Sequence, residues 1–186
     1  MAVTKISFDE IYQTYFDRIV KYLSRTVGSD DAQDLAQEVF LKVFASIDKF
    51  DNKSSIYTWV FRIATNHLID RMRKKKIIVD RCNLTDKDLF SKSNVEFLTE
   101  EFRIVQEEMK ECICSYIKML PTKYRAIIVL REYESMPIEE IANIMNLKND
   151  NAKKILSRAR RKLKNILNEK CQFYYNELNQ FSCEKK

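Results

Sequence analysis

The chain of 186 residues contains one glycine, Gly28, and two prolines, Pro121 and Pro137. Tight strand-to-strand turns draw heavily on Gly and Pro, so a fold of many strands cannot be closed with so little turn chemistry. The composition therefore predicts an all-α protein. Apolar spacing agrees. Ser7-Phe8-Asp9-Glu10 has the form of a capping box, a hydroxyl with a carboxylate three residues on. It opens a helix with apolar face Phe8, Ile11, Tyr12, Tyr15, Phe16, Ile19, Val20 and Leu23, ending near Gly28. A second helix is predicted from about Asp30 to Ile47, with Ala32, Leu35, Ala36, Val39, Phe40, Val43, Phe44 and Ile47 inward. A polar loop, Asp48 to Ser55, leads to a third helix, apolar nearly all round at first and strongly basic at its end near Lys75.

From Ile77 to about Thr99 the periodicity fades into an acidic linker, and it returns with Phe102, Val105, Met109, Cys112, Ile113, Tyr116 and Ile117. Leu120-Pro121 breaks that helix. Further helices are predicted from Thr122 to Tyr133, after Ser135-Met136-Pro137, and from Asn149 onward. The chain thus reads as two small helical domains, 1–77 and 102–169, joined by a linker at 78–101 and followed by a tail at 170–186.

Charge is clustered within a net +6. "RMRKKK", residues 71–76, holds five positives in six residues. "NDNAKKILSRARRKLK", residues 149–164, holds seven Lys or Arg against one Asp, with Ala152, Ile155, Leu156, Ala159 and Leu163 as its apolar stripe. Segregated positive charge favours a nucleic-acid partner. The N-terminus lacks the pattern of a signal peptide. No apolar run approaches the roughly 20 residues of a membrane span, so a cytoplasmic protein is expected. Five cysteines at irregular spacing do not form a disulfide framework. They are expected as free thiols, with Cys112 on an apolar stripe. His67 has no obvious partner in the sequence. No nucleophile with a base, paired-carboxylate site or Gly-rich phosphate loop is present, so neither an enzyme nor a cofactor nor a metal is expected.

Two short helices joined by a tight turn, the second more basic, have the helix-turn-helix form. Asn146 supplies the turn residue tolerant of left-handed geometry, and Asn149 or Asp150 is placed to cap the second helix. That helix presents Asn151, Lys153, Lys154, Ser157, Arg158 and Arg161 away from its apolar stripe. Its N-terminal part suits base edges and its later cations suit phosphates. In the first module, Asp34, Gln37, Glu38 and Leu41 share the outer face of "DLAQEVFLKVF" by three- and four-residue spacing, the makings of a protein-docking surface. "KFDNKSSIYTWVFRIATNHLIDRMRKKK" joins a polar loop to a helix with early aromatics and a basic end, suited to an extruded base and its backbone. Trp59 and Phe61 are expected in the core.

These segments, with "LPTKYRAIIVLREYESMPIEEIANIMNLKNDNAKKILSRARRKLK", resemble conserved regions two and four of bacterial extracytoplasmic-function (ECF) sigma factors, over roughly Phe8 to Lys76 and Val105 to Leu167. The resemblance implies an alternative sigma factor that binds core RNA polymerase and directs promoter-specific initiation. Asp34, Gln37, Glu38 and Leu41 would dock on the clamp helices of the largest subunit. Phe50, Asn52, Lys53, Ser54 and Ser55, with Asn66, would capture a flipped base of the −10 element, and Arg62, Arg71 and Arg73 would hold nearby phosphates. Asn151, Lys153, Lys154, Ser157, Arg158 and Arg161 would meet the −35 element. The second module would also meet the flap of the second-largest subunit. An anti-sigma factor is implied as inhibitor, and the free protein is expected as a monomer. The chain departs from the family's pattern with Asn146 where Gly is usual and Asp150-Asn151-Ala152 where a Gly-Thr-Val-like start is usual. The alternative is a stand-alone helix-turn-helix regulator with an N-terminal sensor or dimerisation module.

Overall fold

The computed structural model describes residues 7–82, 112–175 and 181–186. Helix α1, Phe8–Val27, is closed by the expected capping box: Ser7 Oγ accepts from Glu10 N at 3.2 Å, and Glu10 Oε2 accepts from Ser7 N at 2.9 Å. Gly28 ends it with φ 109°, a conformation side-chain-bearing residues avoid, and the chain turns directly into α2, Ser29–Ser46. Ile11, Ile19, Tyr22 and Leu23 of α1 and Leu35, Ala36, Val39 and Val43 of α2 are buried. Helix α3, Ile56–Cys82, adds Val60, Phe61, Ala64 and Leu68 to the same core. It runs on past its expected end near Lys75, because nothing from 76 to 82 is a Gly or Pro that would stop it. The linker helix start expected near Glu100 lies outside the described residues.

The second module begins with a helical segment at 112–118, here α4. Pro121 then starts α5, Thr122–Ile128. The stretch expected as one regular helix to Tyr133 instead widens after Ile128, where Glu134 N bonds to Val129 O and Met136 N to Leu130 O, each at 3.1 Å. Helices α6, Ile138–Ile144, and α7, Asn149–Lys170, follow. The tail is not helical. Cys171–Tyr175 (β1) pairs antiparallel with Phe181–Lys185 (β2), setting Phe173 opposite Cys183. Aromatic residues in sequence, Phe173-Tyr174-Tyr175, favour extended chain over helix there. One appended hairpin leaves the fold all-α in class.

The two modules are not separate bodies. Ile117, Leu120, Ile127, Val129, Leu130 and Ile141 join the core built by α1–α3. Polar contacts fix the docking. Glu134, whose side chain is 6% exposed, accepts from Arg18 Nε at 2.8 Å and from the Tyr57 hydroxyl at 3.3 Å. The Arg18 guanidinium lies 4.6 Å over the Tyr57 ring. Thr58 Oγ1 donates to Glu140 at 3.1 Å, and Arg125 Nη1 donates to the Thr26 carbonyl at 2.8 Å.

Tyr22 is fully buried, with its hydroxyl 2.9 Å from Thr65 Oγ1 and its ring centroid 5.4 Å from that of Phe61. Burial raises its pKa well above the usual phenol value, against the smaller opposing pull of the Thr65 hydrogen bond. A raised pKa means that stability is intact below the ordinary value near 10 and is lost as pH rises past it. Tyr22→Phe keeps the ring and loses one buried hydrogen bond, so it should cost about 1–2 kcal/mol near neutral pH. Above a pH of about 10 the deficit should shrink, since only the Tyr22 chain must ionise or unfold. Urea melts of both chains at neutral and alkaline pH would check this.

Candidate nucleic-acid and protein interfaces

Helix α2 turns its buried residues toward α1 and α3, and this fixes what its outer face shows. Asp34, Gln37, Glu38 and Leu41 are all exposed there, Leu41 to 69%. Tyr12 and Phe44, expected to face inward, are 39% and 63% exposed. Both lie at the rim of an aromatic cluster in which Phe8 meets Phe44 at 5.2 Å and Tyr12 meets Phe40 at 5.1 Å. They sit at the margins of their helical stripes, where the apolar residues outnumber the places available beneath a neighbouring helix. The result is an apolar patch beside an acid-amide face, the composition of a docking surface.

Glu38 does not stand alone on that face. Its Oε2 lies 2.6 Å from His67 Nε2, and its Oε1 accepts from Arg71 Nη1 at 2.6 Å. The His67 hydrogen bond, then the Arg71 charge, hold the Glu38 carboxyl below its ordinary range against some desolvation. His67, without an obvious partner in sequence, thus has one on α2. Arg71, expected at phosphate, is bonded within the protein.

Between α2 and α3 the chain makes a small polar loop. Asp51 accepts from Lys53 N at 3.2 Å and pairs with Lys53 Nζ at 2.7 Å, and Asn52 takes the left-handed φ of 56°. An Asp side chain bonding the backbone two residues on is an ordinary way of tightening such a turn. Ser55 Oγ accepts from Thr58 N at 3.1 Å, which starts α3. Phe50 lays its ring 5.1 Å from that of Trp59. Phe61 is buried and Trp59 partly buried, both against the core. Asn52 and Lys53 are exposed and Ser54 is half-buried. Along α3, Arg62, Asn66 and Arg73 share one stripe by steps of four and seven. Asn66 and Arg73 are exposed, Arg73 3.2 Å from Asp70, while Arg62 has its Nε buried with no hydrogen-bond partner among the described residues. Arg71 belongs to another stripe, 67–71–75, which faces α2. The cations expected to act together at the −10 element are therefore split between two faces.

In the second module Asn146 carries the turn with φ 52°, as its short amide allows. Leu147 N bonds back to Ala142 O at 2.8 Å. Neither Asn149 nor Asp150 caps α7. Lys148 holds the cap position without a side-chain bond, since the helix starts one residue early, and Asn149 Nδ2 donates to Glu139 at 3.3 Å instead. Ala152, Leu156 and Ala159 are buried. Asn151, Lys153, Lys154, Ser157, Arg158 and Arg161 are all exposed on the remaining surface. Arg160 is held by Glu132 through bonds of 2.9 and 2.6 Å. Behind the basic face, Ile128, Leu163, Leu167 and Phe173 line an apolar groove between α5, α7 and β1. Phe173 was not legible as a site residue, because it depends on the hairpin folding back. Among the described residues no cluster of His, Cys, Asp or Glu could hold a metal, and Cys112, Cys114, Cys171 and Cys183 are free thiols. No helix among them is long and apolar enough to cross a membrane.

A helical module with a docking face and a loop-led basic helix, followed by a helix-turn-helix, is the layout of a sigma-70-type transcription initiation factor. Residues 11–77 match Sigma-70 region 2 and residues 110–163 match Sigma-70 region 4. The chain is 32% identical over 168 residues to the ECF RNA polymerase sigma factor SigW of Bacillus subtilis, covering 88% of this chain and 90% of that one. It is 29% identical over 170 residues to the ECF RNA polymerase sigma-E factor of Escherichia coli, covering 86% and 85%. The fold is shared with the sigma factor RpoE of Bartonella quintana, solved in complex with the anti-sigma factor NepR. That match has a TM-score of 0.69 at 22% identity and covers 87% of this chain and 96% of that one. The chain belongs to the ECF RNA polymerase sigma factors, and it is an alternative sigma factor that directs promoter-specific transcription.

The turn residue of the helix-turn-helix gives a direct test of this local geometry. Asn146→Val places a β-branched side chain at a left-handed φ and should destabilise the chain by about 1–2 kcal/mol. Asn146→Gly should be neutral or stabilising, and thermal melts of the two variants would separate the cases.

Proposed function

We propose that the two modules divide promoter recognition between them in the following way. The α2 face of Asp34, Gln37, Glu38 and Leu41, extended by Phe44 and Tyr12, docks on the clamp helices of the largest subunit of core RNA polymerase. The loop from Phe50 to Ser55 and the stripe of Arg62, Asn66 and Arg73 take the melted −10 strand, with Arg71 joining them. Unpaired bases can enter a small loop walled by an aromatic ring, and cations along the helix follow the backbone. The exposed residues of α7 enter the major groove of the −35 duplex, Asn151, Lys153 and Lys154 near base edges and Ser157, Arg158 and Arg161 at phosphates. The apolar groove of Ile128, Leu163, Leu167 and Phe173 receives the flap of the second-largest subunit. An anti-sigma factor covers these surfaces when the protein is idle, as the solved relatives are each held by such a partner. The free protein works as a cytoplasmic monomer.

One observation carries the reading. On α7 every residue named for DNA is exposed, the buried side is confined to small and aliphatic residues, and the neighbouring Arg160 is the cation committed to a carboxylate. The deciding experiment is run-off transcription with purified core polymerase, with and without this chain, on a fragment library of its source genome. New discrete start sites sharing two upstream elements are expected. DNA binding by the chain alone with no new starts would point to a stand-alone regulator.

Two variant pairs test the residue roles. Asp34→Ala with Gln37→Ala should weaken core polymerase binding by about tenfold while the melting temperature holds, as expected of a few lost interface hydrogen bonds. Lys153→Ala with Arg158→Ala should reduce the slope of log affinity against log salt by about 2 on −35 duplex. An unaltered slope would remove α7 from the DNA interface.

A further inference from the structure

Helices α2 and α3 run antiparallel past one another, and their charges meet in sequence order. Asp31 and Glu38, seven residues apart, share a face of α2, and His67, Arg71 and Lys75, four apart, share a face of α3. Glu38 bonds His67 and Arg71, both at 2.6 Å. Arg71 Nη2 also approaches Asp31 Oδ1 at 3.8 Å, and Lys75 Nζ approaches Asp31 Oδ2 at 3.8 Å. The side chain of His67 is only 14% exposed, so it anchors Glu38 from the protein side, while Arg71 and Lys75 lie at the wet edge.

We infer that this ladder is a coupling device: in the free chain the carboxylates of the docking helix neutralise two cations of the DNA-binding helix, and a partner that engages Asp31 and Glu38 releases Arg71 and Lys75 for nucleic-acid phosphates. The inference rests on the proposed division of surfaces and deepens it. A phosphate and a carboxylate compete for the same guanidinium fork, so occupancy of one side excludes the other. The partner's docking site must offer positive charge or strong hydrogen-bond donors to take Glu38. Reciprocity follows from linkage. DNA that captures Arg71 and Lys75 frees the carboxylates, so DNA and polymerase raise each other's affinity by the same factor. Glu38 acts here as a positioning residue, holding Arg71 along α2 without itself touching DNA.

The test uses the full chain and a mixed-sequence single-stranded oligonucleotide, with anisotropy followed across a salt series. Asp31→Asn with Glu38→Gln keeps the shapes and removes the restraint. The slope of log affinity against log salt should steepen by about 1.4, two further phosphate contacts at about 0.7 each. Affinity at low salt should rise several-fold. Asp9→Asn with Asp17→Asn on α1 changes net charge equally and should leave the slope nearly unaltered. Adding Arg71→Ala and Lys75→Ala to the carboxamide chain should abolish the gain. A slope equal to wild type, equal to the α1 control, or insensitive to those two alanines would overturn the inference. A second readout does not depend on DNA: Arg71→Ala with Lys75→Ala alone should bind core polymerase several-fold tighter, and unchanged or weaker binding would count against the ladder. If the slopes fail while run-off transcription is intact, the ladder falls and the proposed surfaces stand. If no form binds the oligonucleotide and no new starts appear, both fall together.

Discussion

Glu134 stands where the two modules meet, nearly out of water, with one carboxylate oxygen shared by the Arg18 guanidinium and the Tyr57 hydroxyl. Burying a carboxylate in this way is tolerable only when charge and hydrogen bonds are returned to it. Both partners must therefore be in place, one from α1 and one from α3, before the second module can dock. The widened turn at 129–133 brings Glu134 to that point, because a regular helix would carry it round to another side. Around this junction the apolar residues of α4 to α6 complete a core that α1–α3 leave open. The orientation of the helix-turn-helix on the first module follows from it.

Most of the helical frame is written locally and can be read from the chain. The Ser7–Glu10 box, the Gly28 break, the loop before α3 and the Asn146 turn each depend on a residue and its neighbours within one turn. What the sequence does not reveal depends on surroundings. The end of α3 has no stop residue, so its length was open in the sequence. Tyr12 and Phe44 carry the right period for burial, yet no helix covers them. The tail hairpin exists because two distant short segments pair, and neither alternates strongly enough to announce a strand.

The candidate sites divide along the same line. The acid-amide face of α2 and the basic face of α7 were legible because each lies on one helix, where spacing alone decides direction. The commitments of Glu38 and Arg71 were not, since the partners are 33 positions apart and belong to surfaces expected to serve different macromolecules. Arg18 and Glu134, 116 positions apart, are the extreme case. Charge counted along a chain shows supply, and only docking shows which charges are already spent within the protein. The same accounting applies to α7, where Arg160 is occupied and its neighbours are not.

The joint core has a consequence of scale. A packed body of about this length is roughly 40 Å across. Promoter elements centred about 25 base pairs apart lie roughly 85 Å apart along a duplex at 3.4 Å per pair. A chain folded as described cannot span that distance, so touching both elements at once requires the modules to part along the seam of Arg18, Tyr57, Thr58 and Arg125. The seam is mostly polar at its edge and made of few bonds, which makes separation affordable once polymerase supplies a separate seat for each half. The length of the segment between α3 and α4 then acts as a ruler, and its residue count sets the widest spacing of elements that one molecule can serve.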